Sequence, residues 1–128
     1  MPDNVTLLLL EPDRATRQLY VRELGRRWRV LAAEGATDVL PLLSGETVHA
    51  VILELGAAEG DEWALLSRIK GHPASARAPI IICSTVDARG KGYALGVSSY
   101  LVKPVSAQQL VSEVARWLES AAGSDELM

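Results

Sequence analysis

The stretch Ala50-Val51-Ile52-Leu53-Glu54-Leu55 decides the fold. Val51, Ile52 and Leu53 make a short, wholly apolar run of strand length, the pattern of a strand covered on both faces in a parallel sheet. A carboxylate, Glu54, closes it. Working outward, Val5 to Leu10 and Ile80 to Cys83 have the same character and are bounded by turn residues. Val30 to Ala33 and Tyr100 to Val102 are weaker runs that complete five expected strands.

Between the strands the apolar residues change period. Leu19, Tyr20 and Leu24 mark a first helix, Val39, Leu40 and Leu43 a second, and Leu65, Leu66 and Ile69 a third. Pro41 falls inside the second pattern. With Thr37 as N-cap it lies in the first turn, where backbone N–H groups have no intrahelical partner. Leu110, Val111, Val114, Ala115 and Leu118 form the clearest stripe, with Ser106 placed as its N-cap. Strict alternation of strand and helix predicts right-handed crossovers and an α/β layer fold. One domain is expected over residues 1–121, with 122–128 a flexible tail or linker stub, because Gly123 to Met128 carries little apolar content.

Composition narrows the function classes. The 128 residues suffice for one domain, and 48% apolar content suffices for its core. A net charge of -3, with Arg26, Arg27 and Arg29 as the one basic cluster, gives no nucleic-acid footprint. The single cysteine, Cys83, excludes an internal disulfide, and Leu7 to Leu10 is too short to span a bilayer. No basic segment leads into an apolar run with a cleavage site, so the expectation is a soluble, cytoplasmic chain without membrane contact.

Chemistry in such a sheet gathers at the carboxyl ends of its strands, around a topological switch point. Those ends carry Glu11, Glu54, Ser84 and Lys103. Charges seldom terminate several buried strands at one edge without pairing, so these residues are expected to converge.

With Leu7-Leu8-Leu9-Leu10-Glu11 upstream and Ser84 and Tyr100-Leu101-Val102-Lys103-Pro104 downstream, the chain resembles the receiver domain of bacterial two-component response regulators from Val5 to about Leu118. The resemblance implies a flavodoxin-like, doubly wound five-stranded parallel sheet in the order 2-1-3-4-5, with helices on both faces. It places Glu54 where receivers carry the phosphoacceptor aspartate. Arg17 sets the register of the acidic pair that ends the first strand, and that pair becomes Glu11-Pro12 here. Asp13 matches a further, often acidic position; read from the residues alone, it is a charge complementing the helix macrodipole. Ser84 matches the phosphoryl-contacting hydroxyl, Thr85 the small residue after it, Tyr100 the aromatic switch, and Lys103-Pro104 the lysine with its cis-joined proline. Asp61 matches an acidic position after a loop, Gly56 to Gly60, that lacks the usual proline. The interval from Ser84 to Tyr100 is short, as though the fourth helix had lost most of a turn.

Acyl-phosphate formation needs an in-line carboxylate and a magnesium ion held by carboxylates, since charge neutralisation carries most of the catalysis. Glu54 is one methylene longer than Asp, and a displacement of about 1 Å can reduce a well-oriented reaction roughly a hundredfold. Pro12 removes a metal-directed carboxylate. The expectation is therefore an atypical, phosphorylation-independent pseudo-receiver with no catalytic residues, binding Mg²⁺ weakly if at all, with Glu11 and Glu54 as the weak metal candidates. It would act as a protein-interaction module through its fourth helix, fifth strand and fifth helix, toward a histidine kinase or an effector domain. The alternative is a working phosphoacceptor regulator that uses Glu54 or a nearby carboxylate such as Asp13 or Asp61. A small hydrolase is the more distant reading, lacking a glycine-rich phosphate loop and a G-x-S-x-G elbow. Glu54 itself has two readings: a partial mimic of a phosphoryl group reaching Lys103 and Ser84, or a plain ion pair with Lys103.

Other residues have bland readings. Cys83 is a small core residue, and neither His49 nor His72 has metal-ligand spacing. Trp28 is expected to pack under the second strand. Trp63 and Trp117 border helical stripes, as core residues or as partly exposed anchors for a partner.

Overall fold

The computed structural model describes residues 5–55 and 61–127, and for residues 61, 62 and 122–127 the backbone alone. Five strands, β1 (Thr6–Leu10), β2 (Arg29–Ala33), β3 (Ala50–Leu53), β4 (Ile80–Ser84) and β5 (Ser99–Val102), form one parallel sheet in the order β2-β1-β3-β4-β5. The helices are α1 (Arg14–Leu24), α2 (Val39–Leu43), α3 (Asp61–Gly71), α4 (Arg89–Ala94) and α5 (Ala107–Leu127). This is the expected flavodoxin-like order.

The strand period of two divides the core. Leu8, Leu10, Val51, Leu53, Ile80 and Ile82 pack on one face with Val39, Leu43, Leu65, Leu66 and Ile69 of α2 and α3. Leu7, Leu9, Ala50, Ile52, Ile81 and Cys83 pack on the other with Tyr20, Leu24, Leu110 and Val114 of α1 and α5. Every residue of β1, β3 and β4 is buried, which is why these runs show no polar alternation. β2 lies at an edge and is half-exposed, which accounts for its weaker pattern.

Local signals set the helix starts. Asp13 caps α1 by accepting from the Thr16 amide at 2.9 Å and the Thr16 hydroxyl at 2.7 Å. Ser106 caps α5 in a reciprocal box: its Oγ accepts from the Gln109 amide at 3.0 Å, and Gln109 Oε1 accepts from the Ser106 amide at 2.8 Å. The second helix departs from expectation. Thr37 is not its N-cap but lies within a 3-10 turn, Ala36–Asp38, that leads directly into α2. Pro41 still falls in the first turn of α2, where its missing N–H is harmless.

Leu19, expected on the buried stripe of α1, is 38% exposed, whereas Tyr20 and Leu24, four residues apart, face the sheet. The backbone of α5 also runs on to Leu127, past the expected boundary at residue 121. No proline interrupts residues 119–127, and the one glycine, Gly123, disfavours a helix by only about 1 kcal/mol relative to Ala. α4, at six residues, is as short as the spacing implied.

Candidate functional site

Parallel register builds the site. Leu10 pairs with Leu53, so the next residues, Glu11 and Glu54, leave the sheet side by side. Ser84 pairs with Val102, which sets Lys103 beside them. The backbone of each stays tied to the sheet: the Glu11 amide donates to Ala33 O at 3.1 Å, the Glu54 amide to Leu10 O at 2.9 Å, and the Lys103 amide to Ser84 O at 2.7 Å. The Lys103-Pro104 peptide is cis, as the resemblance implied.

The Lys103 ammonium sits between two carboxylates, 2.6 Å from Glu11 Oε1 and 3.1 Å from Glu54 Oε1. Glu11 is 2% exposed and Glu54 6%, so neither charge is solvated in the ordinary way. Pairing and backbone donors take the place of water. The Asp13 amide donates to Glu11 Oε2 at 3.0 Å, and the Thr85 amide donates to Glu54 Oε1 at 3.2 Å. Burial disfavours the Lys103 ammonium, but the hydrogen bonds to Glu11 and Glu54 outweigh it and raise its pKa above the usual lysine value.

On the hydroxyl side of the site the contacts run into the segment that follows β4. Ser84 is buried and its Oγ accepts from the Val86 amide at 3.0 Å, while it is the backbone of Thr85 that meets Glu54. Tyr100 is 6% exposed, with its hydroxyl donating to Val86 O at 2.5 Å and accepting from the Ala88 amide at 3.1 Å. Residues 85–88 are thus held by Glu54 at one end and by Tyr100 at the other. Asp13 is exposed, and its carboxylate serves the first turn of α1. The side chain of Asp61 and the loop from Gly56 to Gly60 lie outside the described residues.

Arg17, used above only to set register, has a structural role that sequence reasoning missed. Its guanidinium donates to Glu11 O at 2.9 Å and to Pro12 O at 3.2 Å, and pairs with Glu34 at 2.9 Å. Its fixed spacing from Glu11 was the available signal. Both oxygens of Glu11 are engaged, and among the described residues no group of three or more His, Cys, Asp or Glu side chains is placed to hold a metal ion.

The remaining candidates are explained by packing. Cys83 is buried, and burial pushes its thiol up to about 11. His49 Nδ1 accepts from the Thr6 amide and His72 Nδ1 from the Ala74 amide, each at 3.0 Å. Trp63 is a core residue at 7% exposure, with the Lys91 ammonium 4.6 Å from its ring centre. Trp117 is half-buried and donates from Nε1 to Glu113 Oε2 at 3.1 Å. Trp28 packs against the α1–α5 core cluster. Arg26 pairs with Glu23 and Arg29 with Glu46, which leaves the basic cluster as a solvated face.

No protein-family model matches the chain. A probable cyclic di-GMP phosphodiesterase of Vibrio cholerae is 25% identical over 126 residues, covering 96% of this chain and 29% of the relative. The chain therefore spans under a third of that relative's length. Among solved structures, a CheY-like response regulator receiver domain from Methanospirillum hungatei superposes with a TM-score of 0.83 at 17% identity, covering 95% of this chain and 99% of that one. The signal receiver domain of a LuxO-type repressor from Vibrio parahaemolyticus gives 0.81 at 21% identity, covering 97% of each chain. The fold is that of response regulator receiver domains.

Proposed function

We propose that this chain is a receiver-like signalling module that works without phosphorylation, presenting a fixed surface to a protein partner in a two-component or phosphorelay system. The observation that carries this reading is the Glu11–Lys103–Glu54 cluster. The lysine on which an incoming phosphoryl group would bear is already held by two buried carboxylates, and Glu54 already takes the Thr85 amide. Two carboxylates against one ammonium leave the cluster with a local excess of negative charge, which repels an incoming phosphate dianion. We accordingly assign the chain no enzymatic activity and no resident cofactor, and we expect Mg²⁺ to leave it unbound at millimolar concentration. Glu54 acts as a structural ion pair that also anchors the loop following β4.

The partner face is α4, β5 and α5, where Tyr93 is 52% and Leu95 41% exposed; the partner class is a histidine kinase or an effector domain, in the cytoplasm. Among the described residues no helix is long and apolar enough to cross a membrane. The phosphodiesterase activity in the relative's name is not assigned to this chain.

Intact-mass measurement after incubation with acetyl phosphate and Mg²⁺ tests the reading. Wild type and Glu54→Asp are expected to stay unmodified, because Pro12 still supplies no ligand, while Glu54→Asp combined with Pro12→Asp gains one phosphoryl group. A hydroxylamine-labile phosphoryl mass on wild type overturns the proposal in favour of a working phosphoacceptor. An inert double variant moves the defect to other positions, first among them the loop from Gly56 to Gly60.

A further inference from the structure

At the opposite edge of the sheet from the carboxylate cluster, the start of β4 and the turn into β5 face the end of α3 and the middle of α5 across a groove of about 260 Å³. Its walls include Lys70, Arg77, Ser98, Trp117 and Ser120. In a chain of net charge -3, two cations line one small groove, and neither forms an ion pair with a carboxylate among the described residues. Glu113, the acid bonded to Trp117, is already taken by Arg116.

The lysine is positioned by the backbone. Lys70 Nζ donates to Gly96 O at 3.1 Å, which leaves two of its three N–H donors for another acceptor. Gly96 permits this approach. It adopts φ +91°, and a Cβ there would stand 2.4 Å from Lys70 Nζ. Only a residue without a side chain allows the ammonium to rest against this turn. Arg77 is exposed and adds planar, forked donors suited to carboxylate or phosphate oxygens. Ser98 and Ser120 add hydroxyls; Ser98 Oγ accepts from the Ile80 amide at 3.3 Å and keeps its O–H to donate. The indole of Trp117, with the Arg116 guanidinium 4.9 Å from its ring centre, lines the groove as a flat apolar edge beside a further cation.

We propose that this groove binds a small organic anion, a carboxylate or phosphate carried on a flat apolar body, with Lys70 and Arg77 on the oxyanion and Trp117 against the body. The groove suits a ligand of about a dozen non-hydrogen atoms and an affinity in the millimolar range. It is separate from the carboxylate cluster, so it does not depend on the phosphorylation state assigned above.

The test uses phenyl phosphate as probe and follows the ¹H–¹⁵N resonances of the Trp117 indole and the Ser98 and Gly96 amides at constant ionic strength. Saturable shifts confined to these residues are expected at millimolar probe. Inorganic phosphate should bind more weakly and benzyl alcohol weaker still, since each offers half of the recognition. Benzoate in place of phenyl phosphate tells whether carboxylate or phosphate is preferred. Arg77→Gln, an exposed change compatible with folding, should weaken binding about tenfold, and Lys70→Gln by a similar factor. Absent saturation, shifts spread evenly over the surface, or equal binding by wild type and the Arg77→Gln/Lys70→Gln variant would each overturn the proposal. An acidic peptide that shifts these resonances while phenyl phosphate does not would reassign the groove to a protein partner and overturn it as well.

Discussion

Gly92 has no side chain because Tyr100 occupies the space one would fill: a Cβ at Gly92 would lie 2.7 Å from Tyr100 Cδ2 and 3.4 Å from Val97 Cγ2. Alanine is intrinsically better than glycine in a helix by about 1 kcal/mol, yet overpacking a fitted contact costs about 1–3 kcal/mol. Gly92→Ala should therefore destabilise the domain by about 1 kcal/mol in urea denaturation and move the Tyr100 ring resonances, as its hydroxyl leaves Val86 and Ala88. A variant more stable than wild type would show that the ring is not held there. Cys83 makes a second residue-level test. Buried at 1% exposure, with its thiol pushed up to about 11, it should resist a thiol reagent in native protein and react at once in denaturant. Labelling of native protein at the rate of a free thiol would contradict its burial.

At the scale of elements, α5 depends on its first turn. Removing the Ser106 hydroxyl strips one half of the capping box, and Ser106→Ala should cost about 1 kcal/mol in chemical denaturation, with amide exchange at Ala107 to Leu110 accelerated. No change in either would place the start of the helix elsewhere. Ser106 could be found in the sequence because a cap is a local signal, read within four residues. Leu19 and Tyr20 could not be separated so easily: neighbours on a helix differ by about 100°, and the sheet, not the helix, decides which one turns inward. The start of α2 was missed because the 3-10 turn Ala36–Asp38 runs directly into it, and a Thr such as Thr37 is as much at home in a turn as in the cap of a helix. The continuation of α5 to Leu127 left no mark in the apolar pattern, because an apolar stripe reports burial and a helix with little left to bury can still continue.

At the scale of the whole molecule, two partly buried networks among the described residues couple stability to pH. Glu113 is held below its usual value of 4.5, chiefly by the hydrogen bond from Arg116 and further by Ser99 and Trp117, so its contribution is present above pH 4.5 and lost as pH falls through the lower folded value. Lys103 is raised above 10.5, so its contribution is complete below that pH and lost as pH climbs through the higher folded value. Between these limits neither group should tilt stability. The Trp117 indole N–H resonance should move only below about pH 4.5; movement near neutrality would place another titrating group at this contact. The five strands and the convergence of Glu11, Glu54 and Lys103 were legible because buried parallel strands show as unbroken apolar runs whose ends share one edge, while the strand order came from the resemblance to receiver domains. The part played by Thr85 was not, since it acts through a backbone amide that any residue would supply. Glu11 and Glu54 continue β1 and β3, whose side chains are all buried, and their own amides complete the ladders. Time is where this shows. These amides should exchange with solvent only as often as the whole domain opens, so the backbone beneath the charged cluster keeps the slow clock of global unfolding.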